Sequence, residues 1–298
     1  MTISQAFSNF IRSRELRGLA KKSIECYTNF NEPFIMAVGA STSIFNLTRE
    51  TIDDYFYTLF EGGNTMATIA TYIRHIKIFL RWAESEYHLA INAKTIVIPK
   101  TPKKQVRIYN DEEIILIFRT IQAEKPWITS RNRAIVALML DSGLRQNEVC
   151  TLKTNNIQFE NKMLKVLGKG AKERMVPIGS ITRHYLKEYL ASCPYQSENT
   201  FVSRRGKKLT CDAVKHLISK VAKQLPFDFS SHKLRHNFAT NYCIDQYEKY
   251  SRIDIFQLMS IMGHENIATT QKYLHYAMDI IAARADVSHI DKLIKEVI

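Results

Sequence analysis

Ten residues divide this chain into two parts with different patterning. The stretch Ile98-Pro99-Lys100-Thr101-Pro102-Lys103-Lys104-Gln105-Val106-Arg107 carries two prolines, which block a helix and favour extended backbone. Before it, apolar residues recur at helical spacing and no strand pattern is convincing. After it, helical runs surround a short alternating segment. The pattern predicts a domain over 1–98, a basic linker over 99–107 and a second domain over 108–298, ordinary sizes for a chain of 298 residues.

In the first part, Ile3, Phe7, Phe10 and Ile11 share one helix face over 3–17, and Ile24, Tyr27, Phe30, Phe34 and Ile35 share another over 20–38. Thr48 is placed to cap a third helix whose apolar face is Ile52, Tyr55, Phe56 and Leu59. Gly62-Gly63 stops it. Asn64 is read as the cap of a long fourth helix running to about Tyr87. Arg74, Lys77 and Arg81 lie on another face of that helix. A solvated face is the ordinary reading of such bases, and a nucleic-acid-facing one the sharper reading.

In the second part, Asn110-Asp111-Glu112-Glu113 resembles a capping box. A helix follows over about 131–142 and ends at Gly143. Residues 157–167 and 173–178 read as short strands around the turn Gly168-Lys169-Gly170-Ala171-Lys172. Further helices are predicted at about 181–191, 211–224, 232–247 and 253–262. The fold class is therefore mainly α, with a small antiparallel sheet in the second domain. The tail from Val287 to Ile298 reads as an amphipathic helix with Ile290, Leu293, Ile294 and Val297 in its stripe.

Charge narrows the partner. Of 42 Lys and Arg, 10 lie in residues 1–98, together with 9 of the 29 Asp and Glu; the remaining 32 and 20 follow residue 98, so a net of +1 is set against +12. A total of +13 suits a polyanion, nucleic acid before an acidic membrane. Lys100, Lys103, Lys104 and Arg107 give the linker a phosphate-tracking character. Lys172 and Arg174 beside the turn, and the run Arg204, Arg205, Lys207 and Lys208, are further candidates, although a solvated loop explains that run nearly as well. The five cysteines (Cys26, Cys150, Cys193, Cys211 and Cys243) are odd in number and form no C-x-x-C pair, which argues against a disulfide framework or a zinc site and fits a reducing cytoplasm. The polar start Met1-Thr2-Ile3-Ser4-Gln5 has no signal-peptide core, and the longest plain apolar run, Ala134–Leu140, is too short to span a bilayer. A cytoplasmic protein with no membrane partner is expected.

Several groups could do chemistry. Arg145 and Glu148 are three apart and can pair on one helix face. Lys169 sits between two glycines, which permit close backbone approach to a ligand. His232 and Arg235 share a face near a helix N-terminus that Ser230 or Ser231 can cap, a position that favours anions. His236 is read as pointing elsewhere, in a core or surface role. Then comes Gly263-His264, a short polar link, and a helix carrying Tyr273. Each signal alone has an ordinary structural explanation.

Their order does not. Gly-Leu-Arg-x-x-Glu, Gly-Lys-Gly-x-Lys-Glu-Arg-x-x-Pro, His-x-Leu-Arg-His-x-Phe-Ala-Thr and Gly-His-x-x-Ile-x-Thr-Thr-x-x-Tyr-x-His follow one another through the second domain. In this the chain resembles the tyrosine recombinases, the lambda-integrase-type site-specific recombinases. The resemblance extends over nearly all of it, including Leu19–Tyr27, and is closest to the short Xer-like enzymes and transposon-borne resolvases. It implies an N-terminal helical SAM-like core-binding domain and an α+β catalytic domain forming a C-shaped clamp around DNA. It places the catalytic set on Arg145, Lys169, His232, Arg235, His264 and Tyr273, with Glu148 in support. One departure is Asp245–Arg252, which lacks a glycine common there and is slightly longer.

The chemistry fits that set. A phosphodiester passing through a five-coordinate transition state concentrates negative charge, which the paired donors of two guanidiniums suit. Losing one such donor typically costs about 10²–10³ in rate. A phenol of pKa near 10 is ionised only about once in 10³ at pH 7, so Tyr273 needs a proton acceptor, for which His232 is the candidate. Lys169 would protonate the leaving 5′ oxygen. The covalent link conserves the energy of the broken bond, so no cofactor and no metal are expected. The resemblance further implies double-stranded DNA with a specific core site, a dimer on each site, a tetramer in the synapse and a Holliday junction. It leaves open a second recombinase or accessory protein, and whether the tail helix docks in cis or in trans. Two alternatives stand beside recombination: a type IB topoisomerase or telomere-resolvase-like enzyme, and a non-catalytic DNA-binding protein of the same fold.

Overall fold

The helical spacing of the first third is realised in α1 (Ile3–Leu16), α2 (Lys21–Val38), α3 (Arg49–Glu61) and α4 (Met66–Tyr87). The computed structural model describes residues 1–101, 107–168, 172–284 and 290. Lys103, Lys104 and Lys169, and the predicted tail helix apart from Ile290, lie outside the described residues. The chain divides into two units, Met1–Lys104 and Gln105–Ile298.

In the first unit the predicted apolar faces meet in one core. Phe10, Phe34, Ile52, Ile76 and Phe79 are fully enclosed, and each such side chain contributes about 1.5–3 kcal/mol on leaving water. Phe7 and Phe10 pack against Phe79 with ring centroids 5.3 and 5.5 Å apart. Thr48 caps α3 by accepting the Thr51 amide. The cap of α4 is Thr65, whose hydroxyl accepts the Thr68 amide, and not Asn64. Asn64 instead donates Nδ2 to the Leu59 carbonyl at 3.0 Å, closing the end of α3. Two adjacent residues could cap; the one whose oxygen reaches three residues onward takes the position.

In the second unit Asn110 and Glu113 form the expected reciprocal capping box at the start of α5 (Asp111–Thr120). The next helix, α6 (Pro126–Asp141), is buried on nearly every side. It is therefore the centre of the unit, with α8 (Ser180–Ser192) and α10 (Ser231–Tyr250) against it. Asp141 at its end accepts the Gly179 amide at 2.7 Å and the Thr182 hydroxyl at 2.6 Å, which fixes the entry to α8. Short α7 (Gln146–Thr151) leads to the sheet β1 (Ile157–Gln158), β2 (Met163–Leu167) and β3 (Glu173–Pro177). The strands are antiparallel in the order β1-β2-β3, with Leu164 opposite both Ile157 and Val176. The helices α9 (Cys211–Ala222), α11 (Ile255–Met262) and α12 (Ala268–Arg284) complete the described residues.

Ser230 caps α10 through the Lys233 amide. The stretch Asp245–Arg252, which departs from the resemblance, continues α10 to Tyr250 and ends it on Ser251 at φ 53°. Among the described residues no helix is long and apolar enough to cross a membrane.

Candidate active site

Three guanidiniums meet at the C-terminal end of α11. Arg174 on β3 donates Nε to the Ile261 carbonyl at 2.7 Å, Arg235 on α10 donates Nη2 to Met262 at 2.5 Å, and Arg145 at the start of α7 donates Nη2 to Gly263 at 3.0 Å. The last carbonyls of a helix lack intrahelical donors and form the negative end of its dipole, so cations are stabilised there. Arg235 also donates Nη1 to the Gly143 carbonyl. Gly143 follows α6 at φ 61°, and a Cβ at that position would collide with the Phe238 ring. The glycine ending α6 is thus what lets its backbone reach Arg235.

Glu148 binds two of these arginines. Its carboxylate accepts Arg174 through Nη1 and Nη2, both at 2.8 Å, and Arg145 through Nη1 at 2.9 Å and the backbone amide at 2.7 Å. Burial alone would raise this carboxyl, but the hydrogen bonds and charge of Arg174, joined by Arg145, hold it below the usual value. Arg235 is lowered to about 10 by burial and then by Arg145, and it stays a cation at neutral pH.

Gly263 ends α11 in the left-handed conformation at φ 60°, and a Cβ there would sit 3.1 Å from Arg174 Nη1. Gly263→Ala is therefore expected to destabilise the protein by about 1–2 kcal/mol for the backbone conformation alone. It should also displace Arg174. A urea midpoint measured beside the wild type checks this.

His264 lies between Arg235 and α12. Its Nε2 is 3.2 Å from Arg235 Nη2 and its Nδ1 is 2.9 Å from Thr270 Oγ1. Arginine has only donors, so Nε2 accepts and the ring proton sits on Nδ1, donating to Thr270. Burial, then Arg235 and Arg145, push His264 down to about 4, so it is neutral at pH 7.

Tyr273 is 4% exposed on α12. Its ring stacks on His264 (centroids 6.2 Å, 14°) and meets His236 edge-on (4.9 Å, 64°). Lys272 Nζ lies 4.9 Å from the same ring centroid. Burial raises the phenol, against the lowering influence of Arg235 and Arg145. Among the described residues its hydroxyl has no hydrogen-bond partner. His232 is exposed and bonds His236 Nε2 to Nε2 at 2.7 Å. Beside the arginines a cleft of about 680 Å³ opens, lined by Arg145, Lys172, Arg174, His264 and Asn266 among others.

The constellation lies within a stretch whose family is recognisable by sequence. The pattern of the phage integrase family matches residues 109–279. This chain belongs to the phage integrase family of tyrosine recombinases. Tyrosine recombinase XerD of Halalkalibacterium halodurans is 29% identical over 92% of this chain and 94% of its own length. Tyrosine recombinase XerC of Proteus mirabilis is 30% identical over 76% and 74%. Solved structures of similar fold include a lambda integrase (75–356) dimer bound to a COC′ core site (TM-score 0.74, 18% identity, 92% of this chain and 95% of that one). XerH recombinase bound to palindromic difH substrate is another (TM-score 0.70, 22% identity, 91% and 81%). At such identities the likeness is one of fold.

Within this tyrosine recombinase fold, Arg145, Glu148, His232, Arg235, His264 and Tyr273 are joined by the contacts above. Three sequence expectations are corrected. Arg174 is no phosphate-contacting surface base: it is 10% exposed and all three of its nitrogens are bound inside the protein. Lys77 turns its ammonium onto the Lys94 and Ile96 carbonyls at 2.9 and 2.6 Å, tying α4 to the chain end of its own unit. His236 is buried, as a core role requires, but it does not point away from the site, since it touches both His232 and Tyr273. Its signal was present in the sequence, because His232 and His236 are four apart and so neighbours on one helix face.

The other surface bases are exposed. Arg81 stands on α4; Arg204, Arg205 and Lys207 lie in the loop closed by the Val202–Lys208 bridge, of which Lys208 is a member. Arg107 pairs with Glu113 at 2.6 Å, and Lys172 with Glu265 at 3.1 Å.

Proposed function

We propose that the protein is a site-specific DNA recombinase that cuts and rejoins strands through a 3′-phosphotyrosyl intermediate. The observation that carries this reading is the family's tyrosine on α12, Tyr273, packed against His264 while Arg235 binds the same histidine.

In this reading Arg145 and Arg235 bind the non-bridging oxygens of the scissile phosphate. Their donors rest on backbone carbonyls in the free protein, so the pocket is built for negative charge before DNA arrives. Tyr273 Oη attacks phosphorus, and the bond to the 5′ oxygen breaks. The phenolic proton passes to His232, and Lys169 gives a proton to the 5′ oxygen. Attack by another strand's 5′ hydroxyl on the phosphotyrosine reverses both transfers and releases Tyr273. His264 accepts from Arg235 at rest, so it orients that guanidinium. It donates to phosphate once its proton moves to Nε2.

DNA contacts fall to Arg81, Lys103, Lys104, Arg107, Lys172, Arg204, Arg205, Lys207 and Lys208. Domains 1–98 and 108–298 bind one half-site together, two protomers occupy a site and a tetramer pairs two sites through a Holliday junction. The lambda integrase dimer bound to its core site supports the placing of two protomers on one site.

The test uses nicked suicide duplexes tiled across the DNA that flanks the gene. A denaturant-stable adduct, mapped to Tyr273, together with recombinant product is the expected result. Relaxation of supercoils without recombinant product would make the enzyme a topoisomerase, and no adduct on any duplex would make it a binding protein.

A further inference from the structure

His236 is a buried, titratable side chain in contact with two groups of the proposed mechanism. It is 7% exposed and lies one turn after His232 on α10. Its Nε2 is 2.7 Å from His232 Nε2, and its ring packs edge-on against Tyr273 with centroids 4.9 Å apart. Two ring nitrogens at that separation share one proton, so one donates and the other accepts. Burial, then the charges of His232, Lys272, Arg235 and His264, push His236 down to about 4, which leaves it neutral at pH 7.

Two arrangements satisfy the bond. If His236 donates, the single proton of neutral His232 must sit on Nδ1, and no lone pair remains to take another. If His232 donates through Nε2–H, its Nδ1 keeps a lone pair, and the proton of His236 sits on Nδ1. Only the second lets His232 take up a proton without breaking the contact. Once it does, the Nε2–H to His236 bond becomes charge-assisted and stronger.

We propose that His236 is the positioning residue for His232: its Nε2 lone pair holds the His232 Nε2–H, so that His232 Nδ1 is the nitrogen that receives the Tyr273 proton. The phenolic O–H bond breaks, the new N–H bond forms on Nδ1, and the electron pair stays on the Tyr273 oxygen that attacks phosphorus. The same imidazole braces the Tyr273 ring, so one side chain sets both the acceptor and the nucleophile. This rests on His232 being the acceptor.

Three full-length variants test it: His236→Phe, which keeps an aromatic ring and loses the lone pair; His236→Gln, whose amide oxygen restores an acceptor at similar reach; and His232→Ala. The probe is the nicked duplex that gives the adduct. With duplex binding unchanged, His236→Phe should slow single-turnover cleavage by about 10–100-fold, the scale of losing a group that orients a metal-binding histidine, carried over to a histidine that moves a proton. His236→Gln should recover most of that rate. In ¹⁵N spectra of the free wild-type protein, neutral His232 should carry its proton on Nε2 alone, and in His236→Phe the Nδ1–H form should appear beside it, as in an imidazole with no fixed partner. A His232 proton on Nδ1 in the wild type, wild-type cleavage by His236→Phe, or equal slowing by Phe and Gln in folded protein would each overturn the proposal. Should His236→Phe fail to fold in a thermal melt, the wild-type spectrum and the His236→Gln rate decide. Wild-type cleavage by His232→Ala would remove the acceptor reading itself, whatever His236 does.

Discussion

Tyr273→Phe will give a folded protein that binds duplex DNA and forms no covalent adduct with it. The substitution removes one oxygen atom. That oxygen has no hydrogen-bond partner among the described residues, so its loss should change stability by no more than about 1 kcal/mol. The ring contacts to His236 and His264 do not need the hydroxyl and should persist. Nor should binding suffer, because charge supplies most of the affinity for a phosphate backbone, and no cation is touched. Chemistry is different. Removing a nucleophile takes away the bond-forming atom itself, and single losses of this kind cost on the order of 10⁶ in rate in a well-studied hydrolase. Adduct should fall below detection by denaturing electrophoresis while a mobility shift on the same duplex is unchanged. Tyr276 is the control for this assignment. It is three residues on and half-buried, against 4% exposure for Tyr273. An adduct surviving in Tyr273→Phe and mapping to Tyr276 would move the nucleophile by one turn.

How much of this site can be read from sequence depends on how far each partner lies along the chain. The arginine, histidine and tyrosine positions stand in short ordered motifs, and local rules place their helices. Asn110 with Glu113, Thr48 and Ser230 all cap where a three-residue reach predicts. Arg174 shows where such rules stop. In sequence it is one more base beside a glycine turn, in a domain rich in bases. Its partners are Glu148, 26 residues back, and the Ile261 carbonyl, 87 residues on. Only the folding of the β2–β3 hairpin against α11 brings these together. Lys77 fails for a related reason: a flexible four-carbon stem can bend to carbonyls 17 and 19 residues away as readily as it can face solvent. His236 is a different matter. Its helical spacing from His232 was legible, and adjacency to Arg235 in the sequence obscured it, because neighbours in sequence point about 100° apart on a helix.

Glu148→Gln will be the most destabilising single change in the site, costing about 3–5 kcal/mol. Shape is conserved, so the cost is electrostatic. Arg174 is 10% exposed and Glu148 3%, and the carboxylate provides the only negative charge that the described contacts of Arg174 include. Neutralising it leaves a buried guanidinium without a counter-charge and turns a two-point charge-assisted pair into a single amide contact. Arg145 loses the same anchor, so cleavage should fall too, beyond what stability explains. A second comparison separates these effects. Replacing the pair together, Glu148→Leu with Arg174→Met, should recover much of the stability, since removing both members of a buried ion pair is often neutral or better. It should not recover cleavage, because among the described residues the Arg145 side chain then has only the Gly263 carbonyl to hold it. The pH dependence has a definite sign. The folded carboxyl titrates below its ordinary value of 4.5. Its contribution is therefore present in full above that value and is lost as pH falls through the lowered folded value. Urea midpoints of wild type and Glu148→Gln should differ most at neutral pH and converge as pH falls from about 4.5 through the lowered folded value, where the folded carboxyl takes up the proton that glutamine mimics. A gap that stayed constant into acid would mean that Glu148 holds the arginines by shape and not by charge.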